Sequence, residues 1–317
     1  MNKTIFMMVV AFVAATNSYS QCACCAGAGA GSSNGDYNNG ILTLTKKQLV
    51  LESYTDYRTI NQSNAVDVTV PPEETPLKSM VIQSVGARYG LSDKITISAL
   101  IPYVFLHTDA GSDNGLGDLD LLATFNVFAK NNFNVALQAG IELPTGIQKS
   151  AHFDNTTVVV GSCSYDPMAG IIISKRWSRV TLQGNALYKL TTKGFEGNYY
   201  SSISVQSLTL NYKIIEDATS CSLLPKETEA STEPTKTSNL GWAVYGGYYG
   251  EWLDKTEEDD IIDENSGYYM GYATLGNAIS YKKWSFPLTL SLPIIQNMNG
   301  DQNNGGFRVR LGIIKSF

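Results

Sequence analysis

From Phe133 to Leu143 the chain alternates with a period of two. Phe133, Val135, Leu137, Ala139, Ile141 and Leu143 take one phase, and Asn134, Ala136, Gln138, Gly140 and Glu142 take the other. In an extended strand the two phases point to opposite faces, so one face is apolar and the other small or polar. The pattern returns at Val180, Leu182, Ala186, Tyr188 and Leu190, set against Thr181, Gln183, Asn185 and Lys189. It returns again at Ile95, Ile97, Ala99, Ile101, Tyr103 and Phe105, and at Phe286, Leu288, Leu290, Leu292 and Ile294. Such segments run for about ten residues or more, the reach a tilted strand needs to cross a bilayer, whereas soluble strands are more often about five or six. Backbone groups inside lipid must all be paired, which leaves a closed barrel as the sheet solution.

About twelve strand-like segments follow one another, at 41–58, 78–91, 94–106, 117–129, 132–143, 166–176, 179–191, 201–213, 240–253, 267–281, 284–295 and 305–317. Those at 40–58 and 201–213 alternate poorly. The links between segments are long and short by turns. "TINQSNAVDVTVPPEETP", "HTDAGSDNG" and the stretch from Pro144 to Gly161 are long, while "SD" at 92–93, "KNN" at 130–132 and "WS" at 177–178 are tight. Long outer loops with short periplasmic turns are the asymmetry of bacterial outer-membrane barrels. The link from 214 to 239 breaks the rule, being periplasmic by parity yet long and polar. Tyr57, Trp177, Trp252 and Trp284 fall at segment ends, as interfacial girdles require. The chain closes on "GGFRVRLGIIKSF", with Phe307, Val309, Leu311, Ile313 and Phe317 in one phase and Lys315 interrupting the row. A terminal strand of this kind is what the barrel assembly machinery would meet.

Composition sharpens the location. Residues 1–20 read as a secretory signal peptide: Lys3, an apolar run from Ile5 to Ala15, and Ser18 and Ser20 at the small positions before Gln21. That run is too short to span a bilayer as a helix. The whole chain of 317 residues carries 28 Gly, 18 Tyr and only 16% charged residues, and beyond the leader there is no further apolar run of helical length. A net charge of -6 argues against nucleic acid as a partner. The expected organisation is a leader (1–20), a Cys/Gly/Ala-rich periplasmic linker (21–39) and an all-β transmembrane antiparallel barrel (40–317), in the outer membrane of a Gram-negative bacterium.

"GLGDLDLLATFNVF" at 115–128, "ELPTG" at 142–146, "DPMAG" at 166–170 and the terminal "IIKSF" occur in barrel-like order. Together they resemble the outer-membrane barrels of the MetA-pathway of phenol degradation family, over most of residues 80–317. The resemblance implies a role in passage of small, often hydrophobic compounds. The cysteine cluster and the 214–239 link have no counterpart in it.

If apolar residues face lipid, their neighbours face the lumen. Asp118 and Asp120 alternate with Leu119 and Leu121, so both are expected to point inward near the outer mouth. Pairing across the turn at 130–132 sets Asp120 roughly opposite Glu142. Arg308 and Arg310 share the lumen face of the closing strand, and closure of the first strand on the last would bring Glu52 within about two residues of Arg310. With Arg88 these side chains form either a charged constriction that selects solutes or structural ion pairs filling a narrow interior. "EEDDIIDE", Glu257 to Glu264, reads as a solvated acidic loop without the spacing of a calcium loop.

Enzymatic roles find little support. The two histidines available as a base, His107 and His152, both fall on outer loops or strand ends. "GAGAG" at 27–31 follows no strand and precedes no helix, so it reads as a linker rather than a phosphate loop. Parity puts Cys22, Cys24, Cys25 and Cys221 in one compartment and Cys163 on an outer loop. Three readings of the four remain open: a soft-metal site, a disulfide from Cys221 to the cluster, or a tail without fixed partner. The sequence therefore points to a monomeric, cofactor-free channel for small solutes, with lipid and lipopolysaccharide around it. Its rival is a non-transporting scaffold or surface-interaction barrel.

Overall fold

The computed structural model describes residues 42–61, 77–108, 111–146, 161–194, 197–215, 239–258, 260–300 and 302–317. The leader, the linker with Cys22, Cys24 and Cys25, His152, and Cys221 with most of the 214–239 link lie outside the described residues.

Fifteen strands make up the described chain. The first half carries β1 (Leu49–Asn61), β2 (Leu77–Ser92), β3 (Ile95–Thr108), β4 (Ser112–Leu116), β5 (Leu119–Lys130), β6 (Phe133–Leu143) and β7 (Asp166–Trp177). The second half carries β8 (Val180–Lys189), β9 (Ile203–Ile215), β10 (Leu240–Leu253), β11 (Glu257–Glu258) and β12 (Ile261–Ile262). It ends with β13 (Tyr268–Tyr281), β14 (Trp284–Met298) and β15 (Asn304–Ser316). Each long strand pairs antiparallel with its neighbours, and β1 joins both β2 and β15, so the sheet closes on itself. Short β4 extends the β5 stave along β3, with a break at Gly117–Asp118, and β11–β12 form a separate small hairpin. The result is a closed antiparallel barrel of twelve long strands.

The alternation decides which face is which. Leu51, Val85, Ile97, Phe105, Leu137, Ile173, Leu210, Leu292 and Ile313 are exposed on the outside. Glu52, Asp56, Arg58, Arg88, Gln138, Gln183, Asn211 and Arg308 are buried inside. This inversion of a soluble core is what a lipid-facing wall demands, since only the interior can pair polar groups. Aromatic side chains mark both rims. Trp177, Trp242, Tyr281 and Trp284 stand at the short-turn end, and Tyr57, Phe105, Trp252 and Phe307 towards the long-loop end. Lys315, which breaks the apolar row in sequence, places its ammonium 4.6 Å from the Trp284 ring and 4.9 Å from that of Phe317. A rim lysine lying over aromatic rings keeps its charge at the interface while its stem stays apolar.

Short turns follow their chemistry. Asn131 and Asn132 both adopt positive φ (52° and 57°), as a two-residue hairpin turn requires and asparagine tolerates.

Two expectations about the first strand are corrected. It begins at Leu49 rather than near 41, because a turn at Thr45–Gln48, with Lys47 at φ 69°, separates the preceding residues from the wall. Its register on β15 sets Glu52 opposite Ile314 and Asp56 opposite Arg310, so Glu52 lies four positions from Arg310 rather than within two.

Candidate functional site: the charged lumen

Inward-facing titratable side chains gather on two sides of the barrel, mostly in the half nearer the long loops. On one side stand β1 and β15. Parity sends Asp56 and Arg58 inward from β1, and Arg308 and Arg310 inward from β15. Arg308 donates to Asp56 at 2.9 Å and, across the interior, to Glu251 of β10 at 3.3 Å. Arg58 donates to Asp56 at 3.2 Å. The hydroxyls of Tyr249 and Tyr268 donate to the two oxygens of Glu251 at 3.0 and 3.2 Å. The Arg308 guanidinium also lies 4.9 Å from the Tyr249 ring and 5.2 Å from that of Tyr272. Arg310 stands over Tyr54 at 4.4 Å. One cation thus ties together four strands that are not all neighbours. Nearer the short-turn end, Arg88 of β2 pairs with Glu52 of β1 at 3.1 Å.

The other side is acidic. Asp120, Glu142 and Asp166 face one another in register across β5, β6 and β7. Lys189 of β8 donates to both oxygens of Glu142 at 2.8 Å. Asp166 accepts the backbone N–H of Thr192 at 2.8 Å. Asp118 sits just before β5 and serves the loops instead. It accepts the backbone N–H groups of Gly146 and Ser162 at 2.7 and 2.5 Å and the Ser162 hydroxyl at 2.9 Å.

Apolar layers flank these charges. Leu122, Met168, Leu187, Ile203, Val205, Leu253 and Met270 pack with Tyr200, Tyr249, Tyr268 and Tyr272 inside the barrel. Met80, Ile82, Val104 and Leu106 pack together on the β2–β3 wall. Buried charges held in hydrogen-bonded pairs between apolar layers are a stable arrangement only while every partner is present.

All seven charged residues singled out from the sequence are described, but they do not form one constellation. Glu52 pairs with Arg88, Asp120 lies beside Glu142, Arg308 and Arg310 share the β15 face, and Asp118 holds loops. Sequence reasoning missed Asp56, Arg58, Asp166, Lys189 and Glu251 as members. Asp56 and Arg58 are in phase with Glu52, so extending that parity outward would have found them. Nothing local could have indicated that Glu251 meets Arg308, because the two strands are not adjacent.

Outside the lumen, two lysines of the chain pair with part of the acidic run. Lys193 donates to Glu257 at 3.0 Å and to Asp260 at 2.6 Å, and Lys255 pairs with Glu264. These contacts raise the Lys193 pKa and lower that of Asp260. His107 meets the Ser112 hydroxyl at 2.9 Å. Cys163 is a free thiol whose pKa is pushed up by burial and by the nearby Asp118 carboxylate. Among the described residues, no group of three or more His, Cys, Asp or Glu side chains comes together as a metal-holding site.

Comparison with known proteins places this architecture. An outer-membrane channel from Pseudomonas putida F1 superposes with a TM-score of 0.61 at 14% identity, covering 89% of this chain and 99% of that one. The NanC porin gives 0.47 at 9% identity, covering 84% and 98%, and LpxR from Salmonella typhimurium gives 0.42 at 11%, covering 84% and 99%. At these identities the likeness concerns the fold alone. No curated protein matches the sequence. The fold is that of an outer-membrane β-barrel, and over residues 79–223 the chain matches the family described as "Putative MetA-pathway of phenol degradation", the family its local motifs resemble.

Proposed function

We propose that the protein is a channel of the bacterial outer membrane that passes small solutes with an apolar body. One observation carries this reading. The two charged groups stand on roughly opposite walls of a closed barrel, the arginines on β1 and β15 and the carboxylates on β5 to β7, so a transverse field crosses the lumen. The apolar lining beside the charges, from Leu122 to Met270 and the tyrosines, suits solutes that an all-polar porin lumen would favour less. The family's description, which speaks of phenol, is consistent with a small aromatic solute.

A second reading has its own support. Arg308, Asp56 and Glu251 are buried against their partners, and barrels with such interiors also serve as scaffolds. Single-channel recording of the purified protein in planar bilayers separates the two. The channel reading expects discrete conductance steps, and entry of phenol-sized solutes into protein-bearing liposomes faster than into bare ones. A barrel that inserts yet never conducts, and admits no solute above the lipid background, would establish the scaffold instead.

A further inference from the structure

The residues just before β1 do not belong to the wall. Leu42 and Leu44 are buried, at 6% and 8% exposure, while Lys46 and Lys47 are exposed. Leu44 packs with Val50 and Tyr54 of β1 and Ile314 of β15. Leu42 packs with Ala136 of β6 and Ile172 of β7. In the closed strand order, β15 and β7 are six staves apart whichever way the barrel is followed. Two leucines separated by a single residue therefore touch opposite walls, so the segment crosses the lumen. It does so at the short-turn end, where Val50, Ile314, Thr96 and Ala136 lie.

The crossing has a built seat. The Leu44 N–H donates to the Thr96 hydroxyl at 2.7 Å, and the Thr43 hydroxyl donates to the Asp93 carbonyl at 2.8 Å. The Lys46 N–H donates to the Asp93 carboxylate at 2.9 Å. The Lys47 N–H donates to the Gly90 carbonyl at 2.8 Å, and the Gly90 N–H to the Gln48 carbonyl at 2.9 Å. Gly90 is required by this approach: a Cβ there would stand 2.0 Å from the Thr45 carbonyl oxygen. These hydrogen bonds run from Thr43 to Gln48 and belong to no strand ladder, whereas most of the charged and apolar groups deeper in the lumen are side chains on the wall strands. Among the described residues, this segment fills part of the interior and can leave without unzipping a strand pair.

We propose that residues 42–48 form a displaceable strap closing the periplasmic mouth of the lumen, and that full conduction requires it to leave its seat on β2, β3, β6 and β7. The proposal rests on the channel reading above. Two measurements test it, with retained barrel mobility on unheated gels confirming that each variant folds. In a background with all five cysteines changed to serine, Leu44→Cys should react slowly with a maleimide in detergent, and rapidly once Gly90→Leu is added. In planar bilayers, Gly90→Leu and a chain lacking residues 42–48 should both conduct severalfold more than the parent. Equal labelling rates with and without Gly90→Leu would overturn the seat. A parent that conducts as well as the deletion would overturn the closure while leaving the channel reading intact. Silence from parent, point variant and deletion alike would overturn both.

Discussion

The two walls of the lumen carry charge in different ways. On β5 to β8 the charged groups come from four consecutive strands: Asp120, Glu142 and Asp166 meet in ladder register, and Lys189 reaches Glu142 past β7 alone. On the β1–β15 side, Arg308 reaches Glu251 past β14 and β13, and the contact exists only because the barrel closes at this width. The first arrangement is a property of neighbours, and the second a property of the whole cylinder. Loss of a local pair should alter the charge of one wall. Loss of the cross-lumen pair should loosen the interior as well.

The largest effect is therefore expected from Arg308→Ala, which leaves the buried Glu251 and Asp56 carboxylates without their shared cation. Removing one partner of a buried pair costs about 3–5 kcal/mol, to be read from denaturant unfolding of the detergent-solubilised barrel. Conductance should rise at the same time, and an unchanged midpoint would show that the cross-lumen tie contributes little.

A smaller effect is expected from Lys189→Met. Glu142 loses its bidentate lysine at a cost of about 1–3 kcal/mol, and the reversal potential in a salt gradient should move towards cation selectivity. Adding Glu142→Gln should restore most of the stability and reverse the shift. If the double variant is no better than the single one, the local-pair account fails.

The smallest effect concerns the loop tie. Lys193 holds the Asp260 carboxylate below its ordinary pKa of 3.8, so the tie is fully present above that value and is lost as pH falls through the lowered one. Protease cleavage of the β11–β12 hairpin should thus increase only at strongly acidic pH, and Asp260→Asn should show the acid level of cleavage at neutral pH. Conductance should not change, since the hairpin lies outside the strands that line the lumen.

Much of this molecule could be read before any coordinates. The alternation at 133–143 named the lipid face of β6 correctly, and Asp120 does lie opposite Glu142: the turn at Asn131–Asn132 pairs Lys130 with Phe133, and a bulge between Asn126 and Phe128 shifts the register by one. The first strand was harder. Leu42, Thr43, Leu44 and Thr45 alternate like a strand but form none, with a bend at Thr43, and their apolar side chains meet the inside of the barrel rather than lipid. Period two reports extension and two-sidedness, and does not say what lies on either side. The same limit explains Glu52 and Arg310. They share a face, yet the join between the first and last strands has no connecting turn to set its register, and Glu52 falls opposite Ile314, four positions from Arg310 rather than within two.

The sequence by itself determined that oily and polar positions take turns, that the strands are long enough to cross a bilayer, and that short turns gather at one end. Those features depend on neighbours in the chain, where covalent geometry limits the choices. Only the tertiary structure decided that Arg308 meets Glu251 and that Leu42 and Leu44 span the mouth. Both depend on the diameter and register of the closed cylinder, quantities that arise when all the strands meet and that no single strand contains.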